Sequence, residues 1–474
     1  MSTPDPRRWR ALALLCTAFF MVILDSAIVV VAIPSIERDL GFTPEGLQWV
    51  LSAYALSFGG LLLLGGRAAD LAGRRRVFLG GTLLFTFASL LCGLAWSEAS
   101  LIGARAIQGI GAAAMTPSAL SILMTTFEEG AERNKALGIW GSLGGIGASA
   151  GWLIGGPLTD GPGWEWVFLI NVPIGIAVLV VGPRLLRESR PAERVVGFDA
   201  GGAIAVTGAF LLLVYALVDA PSAGWGSAQT VVLLAGSVAL FAAFAAIEAR
   251  VRSPLVPLRF LRSRSLVGAN AAMLLTSCTA FGMPFILTLY AQQVLGYSAV
   301  EFGLTSLVFP LMAAVGSVTG QALVTRRGFA GVAAFGLALM ALATAFLTQV
   351  SVGGSYLGDI FPALLVFGAG LGLSFVASSI AALAGVGEHE SGLASGLNNT
   401  AFQLGAALGV AVVTSVSVSA TDAPSLVGLT DGFRAAFLAC VAFPALGIVL
   451  TLLLRGIRGP EALTPATAVA GADR

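Results

Sequence analysis

Residues 11–34 read ALALLCTAFFMVILDSAIVVVAIP, a long apolar run that contains one charged residue, Asp25. A helix rises about 1.5 Å per residue, so about 20 residues cross the hydrocarbon core of a bilayer, and this run is long enough. Three arginines precede it (Arg7, Arg8, Arg10), and no small-residue cleavage site follows. We therefore expect a retained membrane helix and not a cleaved signal peptide.

Apolar runs of this kind recur along the whole chain, which is 57% hydrophobic and only 11% charged. Soluble domains carry about 25% charged residues, so lipid must solvate much of this surface. Backbone N–H and C=O groups find no hydrogen-bond partners in lipid, so the runs are predicted to be helices. The runs lack the alternation of apolar and polar residues that is typical of a membrane β-barrel. We number them segments 1 to 14, near residues 11–34, 47–66, 77–96, 101–127, 137–157, 167–186, 200–218, 230–248, 266–294, 303–325, 329–350, 357–384, 396–420 and 432–455.

The arginine distribution predicts the orientation. An even number of segments places both termini on one side, and assigning that side to the cytoplasm leaves only Arg38 and Arg434 in the outer loops. This arrangement obeys the positive-inside rule. The sequence therefore predicts a multi-pass protein of the bacterial cytoplasmic membrane with a cytoplasmic N-terminus (1–9) and a cytoplasmic, disordered tail (457–474).

The two longest inner loops frame segments 7 and 8, which suggests two helices inserted between two groups of six. Gly66 to Asp70 and Gly320 to Val324 form a faint repeat, and each stretch precedes an arginine cluster. Two related halves are typical of transporters. The predicted domains are a six-helix bundle (10–188), a linker (189–264) with inserted helices at about 200–218 and 230–248, and a second six-helix bundle (265–456).

Composition and motifs exclude several functions. The net charge of +1 does not suit a nucleic-acid-binding protein. The four cysteines lie singly in apolar runs, and the single histidine, His389, has no partners for a metal site. There is no Walker A sequence and no nucleophile–base set, so we expect neither a cofactor nor an enzyme. A receptor would need a ligand or signalling domain, for which these segments leave no room.

Asp25 and Arg105 are the charged residues that lie deep inside segments of the first half. An Asp at mid-membrane costs roughly 2.5–3.5 kcal/mol on insertion scales, so an intramembrane acid indicates a proton or cation site by default. The alternative for Asp25 is a structural hydrogen bond between helices. Arg105 could meet Asp25 directly or through Gln108, and a fixed structural ion pair is the alternative to a functional one.

Two further features concern helix movement. Gly147, Gly151 and Gly155 recur every four residues in segment 5, which allows a neighbouring helix to approach closely, as a static or as a moving interface.

The loop after segment 2 reads Gly65-Gly-Arg-Ala-Ala-Asp70-Leu-Ala-Gly73-Arg-Arg-Arg76. Its acid and arginines could join inner helix ends through ion pairs, or could simply set the topology.

This loop resembles the signature between helices 2 and 3 of the major facilitator superfamily, of the form G-x-L-a-D-r-x-G-R-r. Gly66, Asp70, Gly73, Arg74 and Arg75 match it, and Ala68 and Leu71 depart from it. Further stretches resemble motifs of the fourteen-helix drug:proton antiporters, namely Leu24-Asp25 through Pro34, Arg105 through Gly111, Trp164 through Gly175, and Gly392 through Gly405. The G-P-x-x-G-G motif of segment 5 matches at Gly151, Gly155 and Gly156, but Trp152 replaces its proline.

The resemblance implies two six-helix bundles around a central cavity that export amphiphilic drugs or secondary metabolites in exchange for protons, by alternating access. Uptake, or transport of a lipid or siderophore, is the alternative within the superfamily. Partners would be the small-molecule substrate, protons and the bilayer, with a monomeric protein. Asp25 and Arg105 would couple to the proton, and the loop of Gly66, Asp70, Gly73, Arg74 and Arg75 would act as a gate. The candidate cavity residues are Tyr54, Gln108, Trp152, Asn399 and Gln403.

The topology is testable by cysteine labelling. Single cysteines at Ser222 and Ser355 should react with a membrane-impermeant reagent in intact cells, because the positive-inside rule places both outside. A cysteine at Ser189 should react only after permeabilisation. Labelling of position 189 from outside would contradict the fourteen-helix topology.

Overall fold

The protein is described by a computed structural model over residues 7–127, 131–188, 199–251, 254, 263–384, 391–423 and 425–453. The described residues are almost entirely helical and contain no β-strand. Within these described ranges, thirteen helices are long and apolar enough to cross a membrane, and the helix of segment 2 has a shorter apolar stretch at Trp49–Leu62. The all-helical polytopic fold is confirmed, and the count of fourteen spanning helices stays a prediction. The predicted tail at 457–474 lies outside the described residues.

The described residues of the first part of the chain form ten helices that we number in order. They are α1 (Arg8–Leu40), α2 (Pro44–Leu47), α3 (Trp49–Ala72), α4 (Arg74–Gly93), α5 (Glu98–Thr126), α6 (Ala131–Asp160), α7 (Trp166–Leu169), α8 (Asn171–Leu185), α9 (Ala200–Ala223) and α10 (Ala228–Glu248). Local sequence sets several of these ends. Ser97 and Ser100 form a reciprocal capping box at the start of α5, and Gly41 adopts a left-handed conformation where α1 ends.

Seven α-helices are described in the second part, over residues 263–384, 391–423 and 425–453. They are α11 (Arg264–Leu289), α12 (Ala299–Thr305), α13 (Val308–Arg327), α14 (Phe329–Leu347), α15 (Phe361–Leu383), α16 (Ser391–Ser419) and α17 (Leu426–Leu453). A π-helical turn at Tyr290–Val294 extends α11, and another at Tyr356–Ile360 precedes α15. A break between α12 and α13 divides predicted segment 10 into two helices.

The helices pack in two groups. In the first, α5 packs against α3 and α4, and α1 packs against α6 and α8; in the second, α15 packs against α13 and α14, and α11 against α16 and α17. The inserted hairpin of α9 and α10 lies beside the seam between α3 and α16. Ser415 of α16 donates a hydrogen bond to the carbonyl oxygen of Leu217 in α9 at 2.7 Å. Helix α10 packs on α9 through a hydrogen bond of 2.8 Å from Ser237 to the carbonyl oxygen of Ala209.

The two ends of the bundle differ in charge. We call the end where α1 begins the basic end, because α4 begins there with Arg74 to Arg76 and α13 ends there with Arg326 and Arg327. We call the other the opposite end.

Hydrogen bonds between the two groups lie near the opposite end. Gln293 donates to the Glu37 carboxylate at 2.7 Å, Gln292 donates to the carbonyl oxygen of Val31 at 3.1 Å, and the backbone N–H of Val300 donates to Asp160 at 2.8 Å. These bonds join α1 and α6 of the first group to the π-helical turn that extends α11 and to the start of α12. The structure is therefore closed at the opposite end.

Helix α6 uses its glycines to approach both groups. A Cβ atom at Gly151 would lie 2.6 Å from the Cβ of Ala27 and 3.0 Å from the backbone nitrogen of Ile28 in α1. Gly147 and Gly155 make similarly close approaches to α1. On its other side, α6 packs Trp152 against the second group. The glycines therefore allow α6 to lie close to α1 while Trp152 contacts the second group.

The close contact of α6 with α1 predicts the effect of a bulky substitution. Gly151→Leu should reduce transport at least about tenfold while the protein still inserts, because the side chain would force the two helices apart. Gly80→Leu is the matched control, since Gly80 is exposed on α4 and a Cβ there meets nothing within 4 Å. The measurement is export by variants expressed at equal levels. Normal export by Gly151→Leu would show that this contact is dispensable.

Candidate functional site

Asp25 lies on α1 with its side chain fully buried. Its Oδ2 accepts a hydrogen bond of 2.6 Å from Nη1 of Arg105. Its Oδ1 accepts bonds of 2.8 Å from the Gln108 amide nitrogen and 2.9 Å from the Asn171 amide nitrogen. Every partner is a donor, so this arrangement suits the ionised carboxylate, which can only accept.

Arg105 lies on α5 and is also fully buried. Its Nη1 also donates to the Gln108 amide oxygen at 2.6 Å, and its Nε donates to the carbonyl oxygen of Val50 at 2.8 Å. The guanidinium carbon lies 4.3 Å from the centroid of the Tyr54 ring and 5.6 Å from that of Phe168. A buried guanidinium is stabilised by such aromatic faces as well as by its counter-charge.

A second layer of polar side chains fixes Gln108. Its amide nitrogen also donates to the Ser89 hydroxyl at 2.8 Å, and Ser89 donates to the carbonyl oxygen of Phe85 at 2.9 Å. The Cys92 thiol lies 3.7 Å from the Gln108 amide oxygen. The network therefore joins α1, α3, α4, α5 and the start of α8 through one carboxylate.

Not every polar atom of the network is satisfied. Nη2 of Arg105, the Tyr54 hydroxyl and the Asn171 amide oxygen are buried and have no hydrogen-bond partner among the described residues. Buried polar atoms are normally paired, because an unpaired one costs about 1–3 kcal/mol. These three atoms are therefore available to a ligand, a water molecule or a rearranged state of the network.

A small recess adjoins the network on the side of the second group. Its volume is about 10 Å³, which is close to the minimum for one water molecule. Tyr54 and Arg105 line it from the first group, and Phe281 and Gln403 line it from the second. The full lining is Ser26, Leu51, Tyr54, Ala55, Arg105, Phe281, Gln403 and Ala406.

The other predicted cavity residues lie elsewhere. Gln108 is bonded to Asp25 on the far side of the guanidinium, and Asn399 is exposed one turn before Gln403 on α16. The Trp152 ring is 3% exposed, and its centroid lies 5.6 Å from that of Phe302 and 5.9 Å from that of Phe309. The residue that replaces the motif proline thus packs α6 against α12 and α13 and does not line the recess.

The predicted gate loop is ordered by a residue that sequence reasoning did not single out. Gly73 has φ +107°, a backbone conformation that favours glycine. The Glu188 carboxylate at the end of the first group accepts a hydrogen bond of 3.1 Å from the backbone N–H of Arg75 and lies 3.7 Å from Nε of Arg76. Gly66 packs toward Pro117 of α5, and the side chain of Asp70 lies outside the described atoms.

Asn171 is the second residue that sequence reasoning missed as a site residue. It opens α8 and contributes one of the three bonds to Asp25. The available signal was a single amide inside the otherwise apolar run from Val167 to Val181. A buried amide needs partners, so its presence there indicates a polar contact inside the bundle.

The family model of the Major Facilitator Superfamily matches residues 15–410. The chain belongs to this superfamily. It is therefore a transport protein and not an enzyme. Among solved structures, a bacterial homologue of the human lysosomal transporter Spinster, in an inward-facing and unoccupied conformation, aligns with a TM-score of 0.68 at 17% identity and covers 95% of this chain and 98% of that one. At this identity the likeness concerns the fold alone.

Two relatives align with this chain over almost their whole length, and a third aligns over 75% of its length. The puromycin resistance protein of Streptomyces alboniger is 39% identical over 95% of this chain and 91% of its own. The cephamycin export protein of Amycolatopsis lactamdurans is 41% identical over 94% of this chain and 92% of its own. The tetracenomycin C resistance and export protein of Streptomyces glaucescens is 35% identical over 86% of this chain and 75% of its own.

The buried ion pair of Asp25 and Arg105 predicts how the free energies of unfolding of single and double variants compare. Arg105→Ala should lower the free energy of unfolding by about 3–5 kcal/mol, because it leaves the Asp25 carboxylate buried without its counter-charge. The double variant Asp25→Asn/Arg105→Ala should be more stable than Arg105→Ala alone, because the uncompensated charge is then gone. The measurement is thermal unfolding of the purified variants in detergent. Equal loss in the single and double variants would show that the carboxylate is not charged in this site.

Proposed function

We propose that this protein is a secondary active exporter that moves small amphiphilic drugs or secondary metabolites out of the cell in exchange for protons, by alternating access. In this proposal it is a monomer in the bacterial cytoplasmic membrane with its basic end and both termini in the cytoplasm. The observation that carries the proposal is the fully buried Asp25 carboxylate bonded to Arg105, Gln108 and Asn171. The named export activities of the relatives support the direction of transport.

The network suits a carboxyl that gains and loses a proton. A carboxyl shielded from water tends to hold its proton, and a nearby guanidinium favours its release. Protonated Asp25 must donate one hydrogen bond, and the unpaired amide oxygen of Asn171 can accept it after the carboxyl rotates. Arg105 would then keep its bonds to Gln108 and Val50 but lose its counter-charge. Protonation would therefore change the forces between α1 and α5.

The packing of α1 connects this change to the opposite end. Helix α1 carries Asp25 in its middle and Glu37 near its end, where Gln293 of the second group binds. It also faces the glycines of α6, which permit a closely packed contact. A shift of α1 that follows protonation would therefore act on the contacts that close the opposite end. The Gly73 loop and Glu188 would act as the gate at the basic end, where they are bonded to each other in this conformation.

The proton gradient is the energy source in this proposal, so no cofactor is required. The domains follow the predicted division, with a first bundle at 10–188, a linker at 189–264 that carries the inserted helices, and a second bundle at 265–456. The hydrogen bond from Ser415 to Leu217 supports a role for the inserted hairpin in covering the seam between the bundles.

The proposal predicts separate effects on coupled and uncoupled transport. Asp25→Asn should abolish accumulation of a fluorescent drug against its gradient, because the amide has nearly the same shape but does not titrate. Exchange of the drug down its gradient should survive, because the bundles can still rock. The measurement is uptake into proteoliposomes with an imposed pH gradient, using an uncharged fluorescent drug that the wild type accumulates.

Asp431→Asn is the matched control for this experiment. Asp431 is an exposed acid in a surface ion pair with Arg434, and such pairs contribute little. We expect this variant to accumulate drug at the wild-type rate. Accumulation by Asp25→Asn at that same rate would place the coupling proton at another acid.

A further inference from the structure

In the second bundle, one phenylalanine ring contacts two others that come from two further helices. The Phe402 ring of α16 lies 5.6 Å from the Phe281 ring of α11 and 5.3 Å from the Phe375 ring of α15, measured between centroids. Both pairs are edge-to-face. We call Phe281, Phe375 and Phe402 the aromatic triad.

The aromatic triad is only partly covered by protein. Phe375 is 39% exposed, and Phe281 and Phe402 are partly buried. Three phenylalanines in a packed core would bury their rings fully, as Phe367 and Phe437 do at 0% exposure. The triad therefore leaves apolar ring surface free for a ligand to contact.

The triad continues into the recess beside the ion pair. Phe281 belongs to the triad and also lines the recess together with Tyr54 and Arg105. Two buried donors adjoin the recess, Nη2 of Arg105, which has no hydrogen-bond partner among the described residues, and the Tyr54 hydroxyl, which lies beside Ser26. Its volume of about 10 Å³ admits one oxygen atom but not a ring.

The charges around this site disfavour a cation. Among described residues in the middle of the spanning helices, Asp25 and Arg105 carry the charges, and they are bonded to each other. The Asp25 oxygens are occupied by Arg105, Gln108 and Asn171, so no carboxylate is left to bind a positive ligand. If Asp25 is protonated, Arg105 leaves the site with a net positive charge, which repels a cation further.

We propose that this site binds planar aromatic molecules that have a carbonyl or phenolate oxygen at one edge and no positive charge. The oxygen enters the recess and accepts hydrogen bonds from Arg105 and Tyr54, and the ring system lies against the aromatic triad. This assignment rests on the proposed export function and names its substrate class. Lipophilic cations are poorer ligands of this site, because no free carboxylate balances their charge and the Arg105 guanidinium repels them. The aromatic rings offer a cation only a weaker attraction.

A matched pair of probes tests the charge preference. Doxorubicin and its N-acetyl derivative share one planar hydroxyquinone ring system, but the free amine is cationic at neutral pH and the amide is uncharged. Binding to the purified full-length protein in detergent is measured by the change in ligand fluorescence, with no proton gradient. We expect the neutral derivative to bind at least about tenfold more tightly, since a desolvated cation here lacks a counter-charge.

Two variants test the geometry. Phe402→Leu keeps an apolar side chain but removes the central ring of the triad, and should weaken binding of the neutral probe roughly 3- to 10-fold, as expected for one aromatic contact. Phe87→Leu is the control, because Phe87 is 53% exposed on α4 of the first bundle, whereas the triad lies in the second, and this variant should bind as the wild type does.

Asn399→Asp tests whether an added negative charge improves binding of the cationic probe. Asn399 lies one turn from Phe402 on α16 and is exposed, so the isosteric acid adds a negative charge beside the triad. We expect it to improve binding of doxorubicin relative to the neutral derivative, because it supplies the missing counter-charge.

Each outcome supports or overturns the assignment. Equal or tighter binding of the cation by the wild type, no binding of the neutral probe up to its solubility limit, or unchanged binding by Phe402→Leu would overturn it. The proposed export function is tested separately, because binding is measured without a gradient. Selective binding without gradient-driven transport would leave the substrate class standing and refute proton-coupled export.

Discussion

The ion pair between Asp25 and Arg105 is the constraint around which the first bundle is built. Two charges removed from water are stable only if they are close and their remaining hydrogen-bonding atoms are satisfied. The carboxylate reaches this state through three donors on two further helices, and the guanidinium through Val50 and the Tyr54 ring. The packing of α1, α3, α5 and α8 must therefore fit these bonds as well as the apolar side chains around them.

The same constraint makes the bundle responsive to one proton. A proton on Asp25 removes the attraction to Arg105 and turns one acceptor into a donor, so the network cannot keep all its bonds. The first bundle touches the second through α1, through α3 along its seam with α16, and through the glycine-rich α6, whose Trp152 packs on Phe302 and Phe309. Because the contacts of α1 and α6 lie toward the closed end, a small change in the position of α1 bears directly on whether that end stays closed.

The helical fold and the site at Asp25 were predictable from the sequence, because a chain in lipid must pair its backbone groups and rarely places a charge there. The apolar runs, the charge asymmetry and an acid placed mid-helix each have few physical interpretations. The contribution of Asn171 was not predictable, since one amide does not reveal which helix it faces. The position of Trp152 was also not predictable: its bulk indicated a departure from the motif, but only the packing shows that it fills the gap between the bundles. Glu188 was missed because loop acids are usually solvated.

The most direct test of the central claim measures how pH changes the conformation at the opposite end. Spin labels at Trp96, on the first bundle, and Leu357, on the second, are suitable because these side chains are 81% and 74% exposed at that end. Distances between the labels are measured by pulsed electron resonance at several pH values. If Asp25 is the group that links protonation to conformation, the distances in the otherwise wild-type protein change with pH, and Asp25→Asn gives one distribution at every pH. A pH response that persists unchanged in Asp25→Asn would contradict the account.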